Sequence, residues 1–185
     1  MNHDTITFHR TGPSAPIPGV RGPVTRPDDA DYDLERTGFQ AAYRHRPALV
    51  VGATGPADVR AAVAFATGRE LPVAVQATGH GLAAAADGGI LINTRRMTGV
   101  RVDPVARTAR VQAGVRWQRV IHEAARYGLA PLSGSAPDVG VVGYTLGGGL
   151  GLLSREYGYT ADHVRAGEIV TADGQRRRVT GEDEA

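Results

Sequence analysis

Short apolar runs separated by glycine- and proline-rich breaks set the pattern of this chain. Ala48-Leu-Val-Val-Gly52 and Leu71-Pro-Val-Ala-Val75 are runs of strand length. Between them Val59, Ala62, Val63 and Ala66 recur at the helical i, i+3, i+4, i+7 spacing. Thr54 or the turn at Gly55-Pro56 starts that helix, and Gly68 is placed to stop it in the left-handed conformation. Strand, helix and strand over roughly thirty residues predict a parallel unit with a helical crossover. Gly88-Gly-Ile-Leu-Ile-Asn93 supplies another short strand.

The period then changes. Gly99-Val-Arg-Val-Asp103 and Thr108-Ala-Arg-Val-Gln112 alternate apolar and polar positions around a turn at Pro104-Val-Ala-Arg107, which predicts a two-stranded unit. Trp117, Val120, Ile121 and Ala124 share one face of a helix that ends near Tyr127-Gly128. Leu132 to Tyr159 is too rich in glycine for long regular elements. Beyond it, Val164 to Val170 and Gln175 to Val179 read as strands joined by a turn at Asp173-Gly174. Upstream, Met1 to about Thr25 shows no sustained period. Asp28 to Asp33 is placed to open a helix that runs past Leu34, Phe39 and Tyr43 and is closed by Pro47. The chain thus divides into an irregular leader with a short helix (1–45), a first lobe (46–98) and a second lobe (99–185).

Composition narrows the class. The 185 residues include 25 glycines and 11 prolines, with 42% hydrophobic and 5% aromatic side chains, which describes a loop-rich folded domain. The net charge of +2 is small, and the Arg176-Arg-Arg178 run reads as a solvated strand face, so no nucleic-acid partner is expected. There is no cysteine, which excludes disulfides, thiolate nucleophiles and thiolate metal ligands. No run approaches the roughly 20 apolar residues of a membrane span, and no secretory signal pattern opens the chain. The expectation is a soluble protein, cytoplasmic or otherwise, with no membrane partner.

Candidate chemistry centres on Gln76-Ala-Thr-Gly-His-Gly-Leu82, which begins at the carboxyl end of a predicted parallel strand, where α/β proteins place ligands. Three readings of His80 are open: a loop histidine that fixes a turn, a metal ligand, or a nucleophilic imidazole attached to a cofactor. The metal reading is the weakest, because His3, His9, His45, His122 and His163 are scattered without ligand spacing. A second cluster, Gly147-Gly-Gly149 with Gly151, is bracketed by Leu146, Leu150, Leu152 and Leu153. Leucines there argue for a buried turn under a ligand, with free amides facing a pyrophosphate. The spacing matches neither a P-loop nor the dinucleotide Gly-x-Gly-x-x-Gly loop. Ser133 and Ser135 are turn formers or phosphate ligands, and no Gly-x-Ser-x-Gly elbow is present. Tyr144, Tyr157 and Tyr159 are read mainly as walls, and Glu156, Asp162 and His163 as a charged loop cap.

Six separated motifs then agree in order: Arg46-Pro-Ala-Leu-Val-Val51, Gly79-His-Gly81, Val102 to Gly114, Gly128-Leu-Ala-Pro-Leu-Ser-Gly134, Gly140 to Gly149, and Val170-Thr-Ala-Asp-Gly174. With them the chain resembles, from about Asp33 on, the FAD-linked oxidoreductases of the berberine-bridge-enzyme-like group, in the vanillyl-alcohol-oxidase superfamily. The resemblance implies an α+β fold, a PCMH-type FAD-binding domain with a small parallel α/β lobe followed by a mainly antiparallel α+β lobe. It implies FAD joined through an 8α bond to His80. Thr78, Gly79 and Gly81 fall on its pyrophosphate loop, Leu82 is a further cofactor-binding position, and Gly134, Ser135, Gly140, Gly143, Thr145, Gly147, Gly148 and Gly149 fall on cofactor-lining segments. Val170 falls on the strand beside the adenine.

Two departures follow. Gln76-Ala77-Thr78 lacks the arginine that often precedes this loop, and Ala136 stands where some members carry a second flavin-linking cysteine, so at most one covalent link is available. Family members also continue well past the length seen here, so the second lobe is expected to be cut short, and no residue is named as the catalytic base. The resemblance implies hydride transfer from an alcohol, sugar or natural-product substrate to flavin, with dioxygen as the reoxidant. The alternatives are a noncatalytic or degenerate flavin-binding module and a nucleotide-free interaction domain.

Overall fold

The computed structural model describes residues 17–42, 44–81 and 84–181. Its main sheet has the order β1-β2-β4-β3. β2 (Leu49–Gly52), β4 (Ile90–Asn93) and β3 (Val73–Gln76) run parallel, and β1 (Val24–Thr25) is antiparallel to β2 on the outer edge. α1 (Tyr32–Arg36) precedes β2, and α2 (Pro56–Thr67) crosses from β2 to β3. All residues of β2 and β4 are buried, as expected of parallel strands covered on both faces. Leu49, Val51, Ile90 and Ile92 point to α2, meeting Ala62, Val63 and Ala66. Val50 and Leu91 point the other way, to Tyr32 of α1.

Two hairpins complete the α+β architecture: β5 (Val100–Asp103) with β6 (Thr108–Val111), and β7 (Ala166–Val170) with β8 (Arg176–Thr180). α3 (Trp117–Ala125) packs on the first hairpin through Trp117 and Val120, joined by Val115 just before it and Val141 of α4 (Val141–Leu146). α5 (Ser154–Tyr157) and a 3-10 turn at Thr160–His163 lead into β7. The second hairpin is tied to α2. Arg60 donates to the Gly174 carbonyl at 3.2 Å, and the Thr67 hydroxyl to that of Ala172 at 2.9 Å.

Four expectations change. The helix expected to reach Pro47 ends at Arg36, because its last carbonyls are taken by side chains: Thr37 donates to the Asp33 carbonyl, and Arg95 donates to those of Leu34 and Glu35. Leu34 and Phe39 are exposed, and Tyr32 anchors the helix instead; Tyr43 lies outside the described residues. Gly68 is right-handed (φ −66°), since its amide still bonds Ala64 of the helix, and the left-handed residue is Glu70 (φ 55°). The stretch expected to be irregular contributes from Ile17 on. Ile17 enters the α2 core, and the Arg21 and Gly22 amides donate to Asp58. The leucines expected under a ligand stand in the open, with Leu146 84% and Leu152 77% exposed.

Candidate functional site

β3 delivers its last residue, Gln76, to the carboxyl edge of the sheet, and the loop that follows is clamped from below. The Phe39 amide donates to the Thr78 carbonyl at 2.9 Å and the Gln40 amide to that of Gly79 at 3.1 Å. Gly79 takes φ +73°, and a Cβ there would stand 2.8 Å from the Gly38 Cα, so the two backbones touch through glycine alone. The Gln76 side chain fills the remaining space: its Oε1 meets His45 Nε2 at 3.0 Å and its amide donates to the Arg36 carbonyl. The Ala86 amide donates to His45 Nδ1, which fixes the His45 hydrogen on Nε2. Underneath, Arg96 pairs both its terminal nitrogens with the buried Glu35 carboxylate. Hydrogen bonds from Arg96 hold the Glu35 carboxyl below its ordinary range against the opposing effect of burial.

On this platform His80 meets three elements. Phe39 stacks on its ring, with centroids 3.9 Å apart and planes 11° from parallel. Its Nδ1 lies 3.0 Å from the Thr78 hydroxyl, which also accepts the Gly140 amide at 3.2 Å. Its Nε2 is sealed from solvent without a hydrogen-bond partner among the described residues and faces the Asp138 carboxylate at 3.4 Å. The segment bearing Asp138 is anchored by α3, whose first amides would otherwise be unsatisfied: Trp117 donates to the Val139 carbonyl and Gln118 to that of Pro137.

The glycine clusters divide by what surrounds them. Gly134, Gly149 and Gly151 face the Tyr144 ring, and a Cβ at each would come within about 3 Å of it, so these three make a slot for that side chain. Tyr144 in turn stands edge-on to Trp117 at 5.5 Å between centroids. Gly81 and Gly143 face open space, where an added Cβ meets nothing within 4 Å among the described residues. The Thr145 hydroxyl donates to the Val141 carbonyl within α4, and Gly147 caps that helix. Gly148 and Gly149 follow in left-handed conformations and their carbonyls accept the Ala161 and Thr160 amides. Ser135 is exposed. Val170 lines a separate apolar cleft of about 370 Å³ with Val59, Leu71 and Val73. Leu82 lies outside the described residues. The structure therefore joins Thr78, Gly79, His80 and Gly140 directly. It adds Phe39 and Asp138, to which no role was given from sequence. Asp138 lies inside the Gly134–Gly140 stretch, but only the fold brings it to His80.

A family profile described as "FAD binding domain" matches residues 47–180. The chain is a PCMH-type FAD-binding domain of the berberine-bridge-enzyme-like flavoproteins. (R)-6-hydroxynicotine oxidase of Paenarthrobacter nicotinovorans is 33% identical over 157 residues, 84% of this chain and 34% of that protein. An FAD-linked oxidoreductase of Dictyostelium discoideum is 35% identical over 134 residues, 72% of this chain and 30% of its own length. Among solved structures, 6-hydroxy-D-nicotine oxidase from Arthrobacter nicotinovorans superposes with a TM-score of 0.86 at 30% identity, covering 93% of this chain and 38% of that one. Chitooligosaccharide oxidase gives 0.79 at 26% identity, covering 86% and 35%. The chain spans about a third of the length of these relatives.

FAD fits the residues present. The backbone at Gly81 and Gly143, open among the described residues, beside an imidazole held at the carboxyl edge of the sheet, forms a surface that can receive the group. No helix among the described residues is long and apolar enough to cross a membrane.

Proposed function

We propose that the intact protein is a flavin-dependent oxidase or dehydrogenase, and that this domain carries its FAD on an 8α bond to His80. The observation that supports this best is the construction around His80. A glycine-locked loop at the carboxyl edge of a parallel sheet holds one imidazole by its face and by Nδ1, close to backbone that is open at Gly81. On this reading Thr78 to Gly81 lie on the pyrophosphate side, the Gly134–Gly140 and Gly143–Gly149 segments, with Ser135 and Thr145, supply further backbone lining the cofactor, and Val170 marks the adenine side.

Bound FAD supplies the electron chemistry, accepting hydride from a C–H bond of an alcohol, sugar or natural-product substrate and passing the electrons to dioxygen. This chain's residues bind and orient it. The Gly38–Gly79 contact fixes the loop, and Phe39 restricts rotation of the His80 ring. Relatives named as oxidases of hydroxynicotine and of chitooligosaccharide support an oxidase acting on a small molecule.

The test is colour after denaturation. Intact protein precipitated with acid should leave yellow flavin in the pellet, and His80→Ala should leave the pellet white while the supernatant turns yellow. Flavin released from both alike would refute the covalent link, and a folded intact protein without flavin would refute the cofactor assignment. Addition of an oxidisable substrate should bleach the flavin under nitrogen. A yellow protein that no substrate of these classes bleaches would instead identify a noncatalytic flavin module.

A further inference from the structure

Among the described residues the Asp138 side chain makes no hydrogen bond that would explain its position, yet its backbone is held on both sides. The carbonyls of Pro137 and Val139 accept the Gln118 and Trp117 amides at 2.7 and 3.0 Å, and the Gly140 amide reaches across to Thr78. The carboxylate so placed faces His80 Nε2 at 3.4 Å, just outside hydrogen-bonding geometry. The His80 side chain is 18% exposed and that of Asp138 44%. A buried ring nitrogen without a partner is rare in a folded protein and points to a state in which it gains one. Reactive-site hydrogen bonds that are long in the empty protein tighten when the reacting group arrives.

The hydrogen-bond directions then close consistently. With Asp138 accepting, Nε2 carries the hydrogen. Nδ1 keeps its lone pair and accepts from the Thr78 hydroxyl, whose oxygen accepts the Gly140 amide. A carboxylate that holds one imidazole N–H in place sets the tautomer and makes the other nitrogen the more basic one. Phe39, stacked on the ring face, keeps the imidazole in the plane that connects the two partners.

We propose that Asp138 is a positioning residue for flavin attachment: it holds His80 in the tautomer that bonds the cofactor and takes up the Nε2 proton as the bond forms. This rests on the reading that His80 is the attachment residue. In the attachment, a C–H bond of the flavin 8-methyl group breaks and a bond from that carbon to the imidazole forms. The methyl hydrogen leaves as a proton, the Nε2 proton passes to Asp138, and the electron pair enters the flavin ring. The flavin is thereby reduced by two electrons, and dioxygen, reduced to hydrogen peroxide, restores it.

The experiment uses the intact protein made under riboflavin limitation, given FAD, and sampled over time for flavin that resists acid precipitation. Fluorescence quenching reports noncovalent FAD binding in the same samples. Asp138→Asn should bind FAD comparably but attach it about 10- to 100-fold more slowly, and Asp138→Glu should recover part of the rate. Attachment by Asp138→Asn at the wild-type rate would overturn the proposal. So would loss of noncovalent binding in step with attachment, which a merely structural role predicts. If wild-type protein binds FAD but attaches none, the His80 reading falls and this proposal with it. If wild type attaches flavin and His80→Ala does not, a normal Asp138→Asn rate removes the role of Asp138 alone.

Discussion

Gly79 shows how one missing side chain positions a reactive one. Its φ of +73° is open to glycine at little cost, and its neighbour across the contact, Gly38, is also a glycine. Gly79→Ala would add both left-handed strain and a collision with the Gly38 backbone. The variant should lose about 1–3 kcal/mol of stability, measured as a shift of the urea midpoint at unchanged slope. An unchanged midpoint would show that the contact is slack. The Gly79-His-Gly81 triplet was legible in sequence because its geometry is local. The partners of His80 were not, since Phe39 and Asp138 arrive from before β2 and after α3, and neither carries a local pattern that announces it.

At the scale of elements, α2 explains how the early chain is fastened. Asp58, in its first turn and 1% exposed, accepts from the Arg21, Gly22 and Thr54 amides and from the Thr54 hydroxyl. Burial alone would raise its carboxyl, but these hydrogen bonds outweigh burial and hold it below its ordinary range. Asp58→Ala leaves those donors without an acceptor and should cost about 2–4 kcal/mol. Proteolysis should then cut first near Arg21. If the variant melts like wild type and resists cleavage, water replaces the carboxylate and the fastening is dispensable. Periodicity located α2 and strands β2, β3 and β4 to within a few residues; α2, β2 and β4 each bury a contiguous apolar face, whereas β3 keeps Val73 and Val75 exposed. It overextended α1, whose end is set by Arg95 from beyond β4, a tertiary capture invisible to local pattern. It also expected Leu146 and Leu152 to be covered, where the structure leaves them bare.

Across the whole molecule, two buried carboxylates link stability to acid. Glu35 and Asp58 both titrate lower folded than unfolded. As pH falls, the unfolded chain therefore takes up protons first, and folding loses what these groups contribute. That contribution is complete above the ordinary carboxylate range, about pH 4, and disappears as pH drops through the folded-state values. The urea midpoint should hold between pH 7 and about pH 5 as far as these groups decide it, then fall steeply below about pH 4. A Glu35→Gln, Asp58→Asn double variant should start lower and fall less steeply. An acid limb of equal slope would place the titrating groups elsewhere.

The same assembly carries the functional claim, since the loop after β3, Phe39 and the segment after α3 meet at His80. The most direct measurement is the mass of the intact protein after full denaturation, followed by that of the peptide bearing His80 after digestion. The account predicts that the protein is heavier than its sequence by one FAD less two hydrogens, and that the added mass travels with the His80 peptide. A denatured chain at its bare sequence mass, from protein that was yellow when folded, would contradict it.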